Sequence, residues 1–99
     1  MKQVLQFALD KKCVVLDIPN GEQFLSVKLL NGIPYVFVLV DTAKQTRKIS
    51  VSMYTNGEMI LHNPKYIGTF NDRNTPYHVF YKVIGMTKDE EASYQNDFR

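Results

Sequence analysis

The sequence contains very little cysteine: Cys13 is a single cysteine among 99 residues. One cysteine forms no internal disulfide, and with only two histidines at no ligand-like spacing it predicts neither a zinc site nor another metal centre. This usage is typical of a reducing, intracellular compartment. We expect Cys13 to be a small buried hydrophobic residue rather than a nucleophile.

Long apolar runs and a strong net charge are also absent. No run approaches the ~20 residues of a membrane span, and the first twelve residues lack the apolar centre of a signal peptide. Twelve Lys plus Arg against ten Asp plus Glu give a formal charge of +2, whereas a dedicated nucleic-acid-binding domain usually has a clustered basic surface. We therefore expect a soluble protein without membrane contact that stays where it is made.

Tryptophan is missing, but six Tyr and six Phe favour a sheet-rich protein. Residues 1–85 are predicted to form a single β domain, since a chain of this length buries roughly 60 to 65% of its unfolded surface without cross-links. The composition becomes polar afterwards, so residues 86–99 are expected to be a polar C-terminal tail or a short helix. Thr87 with Glu90 resembles a helix-capping box.

The central hairpin is the best-defined element in the sequence. Asn31-Gly32 separates two runs of β-branched and aromatic residues and favours a type I′ turn. A two-residue turn places Leu30 opposite Ile33 and fixes the pairing outward from there. Regular alternation then predicts an aliphatic inner face: Leu25, Val27, Leu29, Val36, Val38 and Val40. The mixed outer face would consist of Phe24, Ser26, Lys28, Tyr35, Phe37 and Leu39. We expect another sheet layer, a second copy of the chain or a ligand to cover this face. The candidate oligomer-interface residues are Phe24, Lys28, Tyr35, Phe37 and Leu39.

Seven short strands with turn signals between them predict an antiparallel β-sandwich or a small open barrel. The first two strands, Lys2 to Leu9 and Cys13 to Ile18, are expected to pair as a hairpin across a polar break. Gly68 inside a later strand indicates a bulge or a close backbone approach. Asn71 to Pro76 is predicted to be a loop.

No phosphate-cradling glycine motif or nucleophile elbow is present, so we expect neither catalysis nor a cofactor. His62 is expected to be a surface turn residue, whereas His78 fits either packing on the sheet surface or contact with a ligand. Aromatic rings interleaved with cations suit base stacking and phosphate contact. The candidate ligand-binding residues are Tyr66, Arg73, Tyr77, His78, Tyr81 and Lys82. The same set could be an inter-subunit surface or ordinary sheet packing.

Several ordered landmarks resemble a family of short proteins of unknown function encoded by tailed bacteriophages and prophages. They include Ile18 to Glu22, Asn31 to Pro34, Tyr66 to Phe70 and His78 to Phe80, and the resemblance covers roughly residues 2–83. Phe37 stands where related proteins often carry Trp, so the outer hairpin face departs from the pattern. The resemblance implies a phage origin and a location in the cytoplasm of the infected bacterial host. It implies no catalytic residues.

The leading functional hypothesis is a non-enzymatic phage accessory protein that antagonises a bacterial antiviral defence by binding. It would either sequester a small nucleotide second messenger or mask a host defence protein, and it is expected to form a homo-oligomer. One alternative is a small-barrel protein that binds single-stranded nucleic acid, with Tyr66, Tyr77 and Tyr81 as stacking platforms. The other is a structural or assembly protein of the phage.

Overall fold

The computed structural model describes residues 1–85 as two stacked antiparallel sheets. The strands are β1 Lys2–Ala8, β2 Cys13–Pro19, β3 Gln23–Leu30, β4 Ile33–Asp41, β5 Thr46–Tyr54, β6 Lys65–Asp72 and β7 Thr75–Val83. One sheet has the order β1-β4-β3 and the other has the order β2-β5-β7-β6. The predicted seven-stranded β-sandwich is therefore confirmed. The predicted tail or helix of residues 86–99 lies outside the described residues.

The core lies between the two sheets and consists almost entirely of aliphatic side chains. The fully buried members are Leu9, Ile18, Val36, Val38, Val40, Ile49, Val51 and Val79. On the strands they occupy alternate positions, because successive side chains of a strand point to opposite faces. The β-branched residues that favour extended backbone are thus also the residues that hold the two sheets together.

The central hairpin has the turn and the pairing that the sequence predicts. Asn31 and Gly32 have φ angles of 51° and 81°, as a type I′ turn requires. Leu30 pairs with Ile33, and the register continues regularly to Ser26 opposite Phe37. A β-bulge then interrupts the ladder at Leu25.

The bulge reverses the predicted positions of two side chains. Phe24 pairs with Val38 instead of Leu39, and it packs against the core with its ring centroid 4.2 Å from that of Tyr81. Leu25 is the extra residue and is exposed. The placement of Phe24 on the outer face and of Leu25 on the inner face is therefore wrong, because a bulge shifts the alternation by one residue.

Alanine substitutions should distinguish these two neighbours. Phe24→Ala should lower the free energy of unfolding by about 2 kcal/mol, because it removes a half-buried ring from the core. Leu25→Ala should lower it by less than about 1 kcal/mol, since this side chain lies largely in solvent. Urea unfolding of both variants measures the difference. Uninterrupted alternation along β3 would give the opposite order.

The first two strands do not form the predicted hairpin. β1 pairs with β4 in one sheet, and β2 pairs with β5 in the other. The connection crosses the sandwich instead: the Leu9 side chain is buried in the core, its N–H donates to the carbonyl of Pro34, and the carbonyl of Lys12 accepts from Met53 N–H. The burial of Leu9 favours a crossing from one sheet to the other, whereas the polar residues after it are compatible with either a crossing or a hairpin.

The β6–β7 hairpin confirms one prediction and corrects another. A bulge at Ile67 precedes Gly68 and confirms the predicted irregularity, whereas a Cβ added at Gly68 would lie 3.7 Å from the backbone nitrogen of Val27, which is an ordinary van der Waals contact. The predicted loop Asn71 to Pro76 is wrong. Both strands continue to a two-residue turn, Arg73-Asn74, whose φ angles of 50° and 65° are left-handed.

Candidate functional site

The outer face of the four-stranded sheet combines aromatic, hydroxyl and basic side chains. Alternation turns Ser50, Ser52 and Tyr54 of β5 outward, and the register places Lys82, Phe80 and His78 of β7 opposite them in that order. On the other side of β7, Tyr66 pairs with Phe80 and Thr69 pairs with His78. We refer to these eight residues as the aromatic face.

Phe80 lies at the centre of the three rings of the aromatic face. Its ring meets those of Tyr54 and Tyr66 edge to face, with centroid distances of 5.8 and 5.4 Å. Edge-to-face contacts are favourable because the positive edge of one ring meets the negative face of another. The rings therefore support one another as a preorganised apolar surface on which a planar group could rest.

A chain of hydrogen bonds fixes the His78 ring. Its Nε2 lies 2.6 Å from Asn56 Oδ1, and its Nδ1 lies 2.9 Å from Thr69 Oγ1. Because a carbonyl oxygen only accepts, Nε2 carries the proton of the neutral ring and Nδ1 accepts from the Thr69 hydroxyl. Tyr66 then donates to Thr69 over 2.6 Å. The neutral tautomer of His78 and the orientation of Tyr66 are thus coupled.

The turn after β5 holds Asn56 against His78. Gly57 in this turn has a φ of 90°, and the Glu58 carboxylate accepts from Thr55 N–H at 2.7 Å while also pairing with Lys12. The hydrogen bond from Lys12, followed by that from the Thr55 backbone, lowers the pKa of Glu58. This carboxylate is therefore ionised at neutral pH, where it anchors the turn.

A cleft of about 270 Å³ opens between the aromatic face and the loop that follows this turn. The sheet side of the cleft is lined by Ser50, Ser52, Tyr54, Phe80, Tyr81, Lys82 and Ile84, and the loop side by Leu61, His62 and Pro64. His62 and its neighbour Asn63 both have left-handed φ angles, 67° and 53°. Consecutive non-glycine residues in this region are strained, and such strain is concentrated at ligand-binding and switch segments.

Cys13 lies at the edge of the same sheet face and is exposed, so its predicted burial is wrong. Val14, Leu16 and Ile18 occupy the inward-facing positions of β2, so the alternation of side chains along the strand places Cys13 on the outward face. Its Sγ lies 3.3 Å from Ser50 Oγ. Hydrogen bonds from Ser50 and then Ser52 lower the pKa of the Cys13 thiol.

The sheet separates the predicted ligand-binding residues into groups. Tyr66, His78 and Lys82 come together on the aromatic face. Tyr77 and Tyr81 lie on the inner face against the core, Tyr77 stacked on Phe70 and Tyr81 against Phe24. Strand alternation places Tyr77 and Tyr81 on the face of β7 opposite to His78, so they do not belong to the aromatic face, although Tyr81 also lines the cleft beside it.

Arg73 does not join the cleft either. It lies in the β6–β7 turn, five residues before His78, which corresponds to roughly 17 Å along an extended strand. Several residues that line the cleft were not predicted as part of a site: Phe80, Tyr54, Ser50, Ser52 and His62. Strand alternation could have found Phe80, since it lies between His78 and Lys82 on the same face.

The outer face of the three-stranded sheet carries the remaining predicted interface residues. Lys28, Tyr35, Phe37 and Leu39 lie there, as the register requires, whereas Phe24 has turned inward. Within residues 1–85 no group of three or more His, Cys, Asp or Glu is arranged to hold a metal ion. The same residues contain no helix long and apolar enough to cross a membrane.

Fold and site define a small antiparallel β-sandwich protein with one outer face that carries aromatic rings, hydroxyl groups and Lys82. The chain belongs to the family described as a domain of unknown function, DUF7352, whose model matches residues 1–88. Comparisons with curated proteins and with solved structures gave no match.

Proposed function

We propose that this protein binds a small nucleotide in the cleft of the aromatic face and retains it without chemical change. The observation that carries this proposal is that Phe80 and Tyr54, whose rings contact each other, line one cleft together with Lys82. Rings stack on bases, and an ammonium group is a common phosphate ligand. Ser50 and Ser52 add hydroxyl groups to the same cleft beside Lys82.

The dimensions of the cleft support a ligand of limited size. Small-molecule pockets usually measure about 300 to 1,000 Å³, and a cleft of about 270 Å³ lies just below this range. Such a cleft would accommodate one base with its sugar and phosphate, and the rest of a larger nucleotide would lie over Tyr66 and His78. A long single strand would need more platforms, and Tyr77 and Tyr81 do not supply them because they face the core.

The biological role we propose is that of a phage accessory protein that removes a nucleotide second messenger from a bacterial antiviral pathway. It rests on the cleft and on the phage origin and cytoplasmic location in the infected host that the sequence resemblance implies. Binding alone would suffice for this role, since a messenger held in the cleft no longer reaches its receptor. Masking of a host defence protein would instead use the apolar outer face of the three-stranded sheet.

Thermal unfolding in the presence of cyclic and linear nucleotides tests the proposal. At about 100 times its dissociation constant a ligand adds about 2.7 kcal/mol of apparent stability, or on the order of 10 °C in Tm for a domain of this size. We expect at least one nucleotide to produce such a rise at millimolar concentration and to be recovered unchanged. A flat response to the whole panel would contradict the proposal, and chemical conversion would contradict simple sequestration.

Substitution of Lys82 should locate the bound nucleotide. Lys82→Gln should weaken binding about tenfold or more, because a charge-assisted hydrogen bond to phosphate contributes roughly 1.5 to 3 kcal/mol. Lys2→Gln is the matched control, since Lys2 is an exposed lysine on the opposite sheet. Isothermal titration of both variants gives the comparison. Equal weakening by both would indicate nonspecific attraction to net positive charge instead of a site in the cleft.

A further inference from the structure

The outer face of the three-stranded sheet exposes a continuous set of large aliphatic side chains. Val4 of β1, Leu25 and Leu30 of β3, and Ile33 of β4 retain 54, 46, 41 and 43% of their accessible surface. Tyr35, Phe37 and Leu39 lie half-buried between them. Single exposed hydrophobic residues are common, but a contiguous group on one face usually marks an interaction surface.

The bulge in β3 contributes directly to this face. Without it, regular alternation would turn Leu25 into the core and Phe24 outward. The bulge instead places Leu25 on the outer face and interrupts the regular backbone pairing of β3 with β4 at that point. A bulge commonly re-aims a side chain. Here it adds a large apolar side chain to a surface that is already apolar.

A hollow lies beside this exposed leucine. It has a volume of about 200 Å³ and is lined by Val4, Leu25, Ser26, Lys28 and Phe37. Projecting aliphatic side chains and a hollow able to receive one therefore occur on the same face. This is the arrangement that a two-fold symmetric contact requires, because each copy presents both the projection and its receptor.

The charged side chains of this face flank an uncharged strip along β4. Lys28 lies near the hairpin turn and lines the hollow, whereas Lys2 and Asp41 are strand partners at the opposite end. Tyr35, Phe37 and Leu39 lie on β4 between these two ends. Interface cores are depleted in charge and interface rims are polar, and the uncharged strip along β4 agrees with this pattern.

We infer that this face binds the same face of a second copy of the chain, giving a two-fold symmetric dimer with the aromatic faces on its outside. Three strands of about eight residues form a face of roughly 15 by 25 Å before side chains are counted. Two such corrugated faces bury about 1,000 Å² in total, the lower end for a specific interface. The dimer should accordingly dissociate at micromolar concentrations.

Sedimentation equilibrium over a concentration series tests this dimer. The unmodified protein should change from monomer to dimer mass as its concentration rises through the micromolar range. Leu25→Lys should raise the dimer dissociation constant about 100-fold or more, since each dimer loses two buried leucines. The matched control is Val15→Lys, because Val15 is 55% exposed on the outer face of the other sheet. This control should associate like the unmodified protein.

The outcomes separate the dimer from its alternatives. A monomer at every accessible concentration overturns the inference and leaves the face available to a different protein. Equal loss of association in both variants overturns the assignment to this face. Thermal unfolding of Leu25→Lys within a few degrees of the unmodified protein shows that the variant is folded, and Ile33→Lys provides a second disruption at a distance from the bulge. Nucleotide binding by Leu25→Lys should be unchanged, because the cleft lies on the other sheet.

Discussion

Replacing Arg47 with methionine should destabilise the protein by about 3 kcal/mol or more. Arg47 Nη2 donates to Glu22 Oε1 at 2.9 Å, and the Glu22 side chain retains only 5% of its accessible surface. Its second oxygen, Oε2, has no hydrogen-bond partner within residues 1–85. Removal of the guanidinium therefore leaves a buried carboxylate without its main compensation, and breaking a buried pair in this way costs about 3 to 5 kcal/mol.

The neighbouring residue provides a matched control for this substitution. Lys48 pairs with Asp17 at the same distance, 2.9 Å, but both side chains are more than half exposed. Lys48→Met should therefore change the free energy of unfolding by less than about 1 kcal/mol. Urea unfolding of both variants makes the comparison, and similar effects would contradict the role assigned to burial. The double variant Glu22→Leu, Arg47→Met should recover most of the loss, since apolar side chains then replace both charges.

The second large effect is expected at Ile49, in the middle of the four-stranded sheet. Its side chain is fully buried, and its strand partners on the two sides are Leu16 and Val83. Ile49→Ala should lower the free energy of unfolding by about 3 kcal/mol, through lost transfer energy and the cavity that remains. Ile49→Val removes a single methylene and should cost about 1 kcal/mol.

An exposed valine in the same sheet serves as the reference for the Ile49 series. Val15→Ala should stay within about 0.5 kcal/mol of the unmodified protein, because Val15 lies on the solvent side of β2. Chemical unfolding of the three variants should therefore show the largest loss of stability for Ile49→Ala, a smaller loss for Ile49→Val and the smallest for Val15→Ala. A large effect of Val15→Ala would mean that the outer surface of this sheet is covered in solution.

Local sequence signals predicted the hairpin turn, the strands and the bulge near Gly68, because each depends on a few adjacent residues. Asn31-Gly32 needs no distant contact to favour its turn. The partner of β1 could not be predicted in the same way. Whether the polar residues after Leu9 reverse the chain or carry it across the sandwich depends on the burial of Leu9 among side chains distant in sequence.

The candidate site shows the same division between local and distant information. Strand alternation places His78, Phe80 and Lys82 on one face of β7 and Tyr77 and Tyr81 on the other, so the grouping of the tyrosines by composition combined residues from two faces of one strand. The bulge at Leu25 could not be predicted from the sequence, because Phe24 and Leu25 are both apolar and either can occupy the core. The loop that lines the cleft could not be predicted either, because the left-handed backbone conformation at His62 and Asn63 occurs without a glycine that would indicate it.

The pairing of β1 with β4 has a consequence for synthesis on the ribosome. β1 is translated well before β4, because β2 and β3 lie between them in the chain. Until β4 has been made, β1 has no partner strand, and the side chains of Leu5 and Phe7, which pack against the core in the folded protein, stay exposed. Because such long-range pairings close slowly, the interval before β4 is made is the period in which chaperone capture or misassociation would compete with correct folding.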